Sequence, residues 1–217
     1  MNASRLFPVR ITVFVLASTS FACLLGQFYH WWGMQSFGCW VLLPAAGGLV
    51  CLGYHTRVTR GEGMRSPFNW LVHGTMGGVI AALVYDLYRL PFVLGGTPLF
   101  QVFPRFGELL LGGTEPRWAV HTLGWAYHFS NGAALGVMFL SVVGQFQRPP
   151  LFFGAVVWAA LVEVLLLLTP YPAFLGFTVD GLFLFLTASA HLVFGVTLGT
   201  YCHWRFAPPG DLAAAAT

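Results

Sequence analysis

The chain has 217 residues, of which 57% are hydrophobic, 17% aromatic and only 8% charged, with a formal net charge of +3 and a mean hydropathy of +0.74. Soluble domains carry roughly 25% charged residues, so a soluble domain is excluded. A nucleic-acid-binding surface is excluded as well, because the ten basic residues flank apolar runs and form no patch.

What remains is an all-α integral membrane helical bundle in the lipid bilayer, with no polar surface to spare for an aqueous domain. A spanning helix needs about 20 apolar residues, and six stretches qualify: 9–29, 37–54, 69–88, 119–143, 151–169 and 182–202. The first follows Arg5 and Arg10 but lacks a clean small-x-small cleavage site, and Phe21 spoils a lipoprotein-type cleavage before Cys23. It reads as a retained helix and not a signal peptide. The second holds Pro44, Gly47 and Gly48, which should kink or thin it.

Residues 1–55 therefore form an N-terminal transmembrane hairpin, and a polar cytoplasmic loop, 56–68, separates it from a four-helix core over 69–205. The core contains a long apolar connection, 89–118, with Phe92, Phe100, Phe103 and Phe106 among prolines and glycines. Loops of this length are usually functional or disordered, and this composition does not suit disorder. An interfacial or re-entrant lid on the outer face is expected. The Pro149-Pro150 and Pro170–Pro172 turns stop helices, and residues 206–217 read as a flexible tail.

An even number of spans puts both termini on one side. Seven arginines (Arg5, Arg10, Arg57, Arg60, Arg65, Arg148, Arg205) fall on that side, against Arg89, Arg105 and Arg117 opposite, and there is no lysine. The positive-inside rule then places both termini in the cytoplasm. Trp31, Trp32, Trp70, Trp118 and Trp204 sit at span borders, as an aromatic belt requires. Cys23, Cys39, Cys51 and Cys202 have no paired spacing and read as small packing residues.

Three spans repeat one pattern: His73-Gly77-Ala81, His128-Gly132-Gly136 and His191-Gly195-Gly199. At 3.6 residues per turn, steps of four keep each trio on one helix face, an imidazole beside a flat groove. Such a face receives another helix or the flat ring of a cofactor whose axial ligand is the imidazole. The sequence leaves both open.

Ionisable residues inside spans are costly and rare, which makes each a functional candidate. His128 and His191 lie about nine residues, or ~14 Å, from the outer end of spans running inward. Glu163 and Asp86, on spans running outward, reach the same leaflet. Glu163 and Asp86 are thus the candidate catalytic carboxylates, and His128 and His191 the candidate ligands of a cofactor such as haem b. His121, His128 and Asn131 share one stripe. If that stripe faces the fifth and sixth spans, His121, His128, Glu163 and His191 surround a transition metal ion, although no His pair four apart and no Glu-x-x-His is present. Asp86 and Arg89, three residues apart, suit an ion pair anchoring a helix end at the outer interface. Glu163 has no basic residue in its own span, so it must be protonated, bonded to a histidine or bound to a cation. His73 lies near the cytoplasmic end, apart from this group.

The runs Tyr85-Asp86-Leu87-Tyr88-Arg89-Leu90-Pro91-Phe92 and Gly124-Trp125-Ala126-Tyr127-His128-Phe129-Ser130-Asn131-Gly132 resemble stretches of uncharacterised polytopic bacterial inner-membrane proteins. The resemblance covers about 65–205 and implies a multi-pass protein of the bacterial inner membrane, with no activity attached. Rhomboid proteases also place a histidine before glycines on a last span, as His191, Gly195 and Gly199 do. No Gly-x-Ser-Gly nucleophile occurs here, and Ser130 and Ser189 point away from their neighbouring histidines, which disfavours a serine protease.

Three functions suit these features. One is metal- or haem-dependent electron transfer or oxidation of a lipophilic substrate. Another is a non-enzymatic accessory or pigment-binding subunit, packing its glycine faces on a membrane-protein partner or a second copy. The third is a proton-coupled transporter with Glu163 and the histidines as a relay, against which stands the lack of an inverted repeat.

Overall fold

Backbone polar groups in lipid must be satisfied within the protein, so long apolar runs fold as helices. The computed structural model describes residues 3–57, 66–113, 116–146 and 150–206, and every regular element among the described residues is helical. Helix α1 (Ala3–Phe28) is followed by α2 (Met34–Phe37), a π-helical turn (Gly38–Leu42) and α3 (Leu43–Thr56), which together form one span. Then come α4 (Pro67–Leu94), α5 (Val102–Leu111), α6 (Arg117–Val143), α7 (Leu151–Leu167), the single turn α8 (Tyr171–Phe174) and α9 (Gly181–Phe206).

Five helices are long and apolar enough to cross a membrane: Phe7–Phe28, Met34–Thr56, Pro67–Leu94, Arg117–Val143 and Gly181–Phe206. The chain is a multi-pass membrane protein in a lipid bilayer. The stretch expected over 151–169 is the shorter helix α7, 17 residues long, because the helix ends ahead of Pro170. The stretch expected to end at 88 runs on to Leu94 across Pro91. Arg89 looked like a border residue, but it is buried, so the polarity boundary there is not a helix boundary.

The distortion expected in the second span is present one turn before Pro44, as the π-turn. Proline clashes with the carbonyl four residues earlier, here that of Trp40, and a π-turn around Trp40 opens the ladder at that point. The connection 89–118 holds the end of α4, a 3₁₀ turn (Leu99–Gln101) and α5, whose Val102, Phe103, Phe106 and Gly107 are buried. The loop 56–68 and the tail 206–217 fall largely outside the described residues.

Helix α4 is central, packed between α6 and α9. Helix α7 lies on α9, α5 on α6, and α1 also on α6, where it has more contact than with α3. Consecutive helices α6 and α7 barely meet. Their contact is near the turn that joins them, where Phe139 approaches Gly154.

Glycines set the closest approaches. On α4, a Cβ at Gly74 would lie 2.6 Å from the Val137 Cα, and Gly78 faces the Gly132 carbonyl. Gly136 faces the Gly74 carbonyl in return, so the two helices interlock backbone to backbone. Gly195 meets Ala155 and Ala159 of α7, and Gly199 meets Phe152. Gly124 of α6 faces the Phe103 carbonyl, and Gly107 of α5 faces that of Val120. The grooves beside the repeated histidines are therefore filled by neighbouring helices of the same chain. One buried cluster, with Trp70, Phe139, Leu140 and Leu198, fills the bundle. A second, with Cys23, Met34, Phe103, Phe106 and Tyr127, lies between α1, α5 and α6.

Candidate functional site

At the end of α4 that the 3₁₀ turn covers, Asp86 is 5% exposed and Arg89 7%. The one-turn spacing lets the pair close, with Arg89 Nη1 3.6 Å from Asp86 Oδ1. The anchor at the interface that the sequence suggests does not form, since both residues are buried. Arg89 does not snorkel; its Nη2 donates to the Leu99 carbonyl at 2.8 Å, and its guanidinium lies over Tyr85 and Phe100, 4.9 Å and 5.4 Å from the ring centroids. The 3₁₀ turn thus takes the hydrogen bond that water would take at a surface.

The other oxygen of Asp86 is engaged by α6: His128 Nε2 lies 2.8 Å from Asp86 Oδ2. Helices α7 and α9 build a second pair of the same kind, His191 Nδ1 to Glu163 Oε2 at 2.9 Å. His191 Nδ1 is also 2.9 Å from the Thr187 carbonyl. Both neighbours are acceptors, so Nδ1 carries the hydrogen and Nε2 is left for exchange. By the same reasoning His128 donates through Nε2 to the carboxylate and keeps Nδ1 for exchange.

Tyr85 stands between the pairs, its ring centroid 6.2 Å from that of His128 and 5.3 Å from that of His191, edge to face. A cavity of about 90 Å³ has Tyr85, Arg89, His128, Asn131 and His191 among its polar lining. A smaller one of about 20 Å³, lined by Glu163, Thr187 and Tyr171 among others, shares Tyr85, Arg89, Tyr171 and His191 with it. Glu163 Oε1 is buried without a hydrogen-bond partner. A volume of 20 Å³ is enough for one water molecule given two to four polar partners. Burial pushes the Tyr171 phenol up, which keeps it a neutral hydrogen-bonding group.

The candidates named from the sequence are thus partly united. Asp86 joins His128, and Glu163 joins His191. His121 is exposed and outside both cavity linings; α5 covers α6 at the adjacent Val120, through Gly107, and leaves the face that carries His121 open. The proposed set His121, His128, Glu163 and His191 does not converge, and among the described residues no three His, Cys, Asp or Glu side chains do. Haem b does not fit between His128 and His191. Tyr85 occupies that space, Gly132 lies against Ala82 and Gly78 of α4, and 90 Å³ compares with roughly 300–1,000 Å³ for ligand pockets.

Asn131 lines the larger cavity and receives the Ser20 hydroxyl of α1, while the Tyr127 hydroxyl donates to the Ser20 carbonyl at 2.7 Å. His73 is at the far end of α4, with Nδ1 3.0 Å from the Tyr201 hydroxyl. Sequence reasoning missed Tyr85 and Tyr171 as site residues. The step of four from Tyr85 to Arg89 was available as a signal; nothing local marks Tyr171, which reaches the site from the α7–α9 connection. No protein-family model, curated protein or solved structure matches this chain, so the site is read from its own geometry.

Proposed function

We propose that the chain is a six-span protein of a bacterial inner membrane, both termini cytoplasmic, whose buried His–carboxylate pairs exchange protons in the outer leaflet. Helix α7, at ~1.5 Å per residue, reaches most of the way across a hydrocarbon core and supplies the sixth span. The burial of Arg89 removes it from the outer loops, so seven arginines face two, Arg105 and Arg117. A C-terminal fluorescent-protein fusion should glow and a C-terminal alkaline phosphatase fusion should be inactive in bacterial cells. The reverse pattern would overturn this orientation.

The observation that carries the proton reading is the joint burial of two His–carboxylate pairs around a single arginine. Two carboxylates and one guanidinium leave one negative charge uncompensated, which low-dielectric surroundings penalise heavily. One proton shared by two imidazoles restores neutrality. Asp86, Arg89, Tyr85 and Asn131 surround His128, and Glu163, the Thr187 carbonyl, Tyr85 and Tyr171 surround His191. Each ring has one nitrogen held and one free, the arrangement a proton-transferring histidine needs. Among the described residues no His, Cys, Asp or Glu cluster supports electron transfer through a metal.

The test is histidine-labelled ¹⁵N NMR of the detergent-solubilised chain. Glu163→Gln removes the uncompensated charge, so the ¹⁵N shifts of both His191 and His128 should move to neutral values. A change confined to His191 would refute the shared proton. The accessory-subunit reading has one observation in its favour: the Met34–Thr56 span leaves Trp40, Leu43, Val50 and Tyr54 exposed.

A further inference from the structure

We infer that the 90 Å³ cavity binds the ring head of a neutral, bilayer-dissolved amphiphile bearing a hydroxyl or carbonyl, admitted sideways between α6 and α7. This names the ligand class of the proton-exchanging site and rests on that reading. The first support is the packing. Helices α6 and α7 meet at their joining turn and barely elsewhere, although each is held firmly by other helices. Toward the site they flank the cavity without closing on each other. Leu135 of α6 lines one side of the cavity, Val162 and Leu166 of α7 the other, and Phe21 and Leu24 of α1 add to the apolar wall.

The other approaches are built differently. From the loop end, α5 sits backbone to backbone on α6 through Gly107 and Gly124, and Phe103 is 0% exposed. Toward the opposite end, α4 and α6 interlock through Gly78 and Gly132. An opening bordered by Leu, Val and Phe in a membrane protein faces hydrocarbon, so what enters is lipid-soluble.

The chemistry of the head follows from the lining. The free nitrogens of His128 and His191, the Asn131 amide and the Tyr85 hydroxyl offer donors and acceptors to an oxygen atom. Arg89 is already engaged by Asp86 and the Leu99 carbonyl, so no free cation waits for an anionic head. A neutral head also leaves the charge balance of the site unchanged. Phe103, Phe106, Phe194 and Tyr171 in the lining suit a flat ring. An engineered cavity of about 150 Å³ accepts benzene, so at 90 Å³ this one admits a single ring only as its α6–α7 side gives way. Glu163 Oε1, buried without a partner, stands in the adjoining small cavity beside His191 as an open hydrogen-bond acceptor.

The experiment uses the full chain in lipid nanodiscs and decylbenzoquinone as the probe, read by quenching of Trp125, whose ring lies 6.1 Å from that of His128. The Trp125-dependent part is the difference from Trp125→Phe. Quenching should saturate, 4-decylphenol should reverse it, and ring heads without the tail should bind more weakly. His128→Ala should weaken binding about tenfold, the loss of one hydrogen bond. Val162→Trp, which fills the opening, should abolish it, whereas Leu165→Trp on the exposed face of α7 should not. Unsaturable quenching that is equal in all variants would overturn the inference. The NMR result with Glu163→Gln needs no ligand, so a shared proton without probe binding defeats only this inference, and the absence of a shared proton defeats the reading beneath it.

Discussion

Asp86→Ala is expected to lower stability by about 3–5 kcal/mol, the usual cost of breaking a buried charge pair from one side. Asp86 is 5% exposed and serves two partners, His128 at 2.8 Å and Arg89 at 3.6 Å. Without it the Arg89 cation loses its ion-pair partner and keeps the Leu99 carbonyl, the faces of Tyr85 and Phe100 and, across the small cavity, Glu163. Removing both charges together is a different matter. An apolar double replacement, Asp86→Leu with Arg89→Met, leaves no lone ion and should recover a good part of the loss. Thermal unfolding of the detergent-solubilised variants checks this. An Asp86→Ala protein as stable as the parent would mean that the pair contributes nothing. A double variant that loses as much as the two single ones together would mean that the two charges do not stabilise each other.

Gly78→Val should be more damaging still, leaving little folded protein. A side chain there would meet the Gly132 carbonyl and lie 3.0 Å from the Ala133 Cα, and backbone cannot swing aside as a side chain can. Ordinary overpacking costs about 1–3 kcal/mol; forcing two interlocked helices apart exceeds that, because every contact along the seam is lost with it. The site would go too. Asp86 and His128 lie on the same two helices, Asp86 about two turns, or ~12 Å, beyond Gly78, and their hydrogen bond depends on the separation the glycines set. Gly47 provides the control, since nothing lies within 4 Å of a Cβ built on it: Gly47→Val should fold like the parent. Size-exclusion profiles of the two variants decide the matter. A monodisperse Gly78→Val protein with parental thermal stability would refute the interlock.

The two predictions bear on the same feature, the α4–α6 seam, and together they separate its packing from its electrostatics. A variant that loses the charge pair but keeps the glycines should remain a weakened bundle. One that loses the glycines should not assemble at all.

Composition and periodicity by themselves determined that this is a helical membrane protein, because hydrocarbon leaves the backbone no other way to satisfy its polar groups. They also singled out the four residues of the two pairs, since ionisable groups are so costly in a span that their presence alone is informative. The tertiary structure decided which imidazole meets which carboxylate. Helix rotation and the order in which helices pack are set by side chains far apart in the chain, so the sequence grouped His128 with Glu163 and His191, whereas α4 delivers Asp86 to His128 first. It decided the role of the glycine grooves as well. A small-residue face looks the same whether a ring or a helix lies on it, and only the positions of Gly74 and Gly78 opposite Gly132 and Gly136 fill it with backbone. Arg89 is the clearest case: an arginine next to a span's end reads as a surface anchor, and it is buried because a 3₁₀ turn ten residues later folds back to offer its carbonyl.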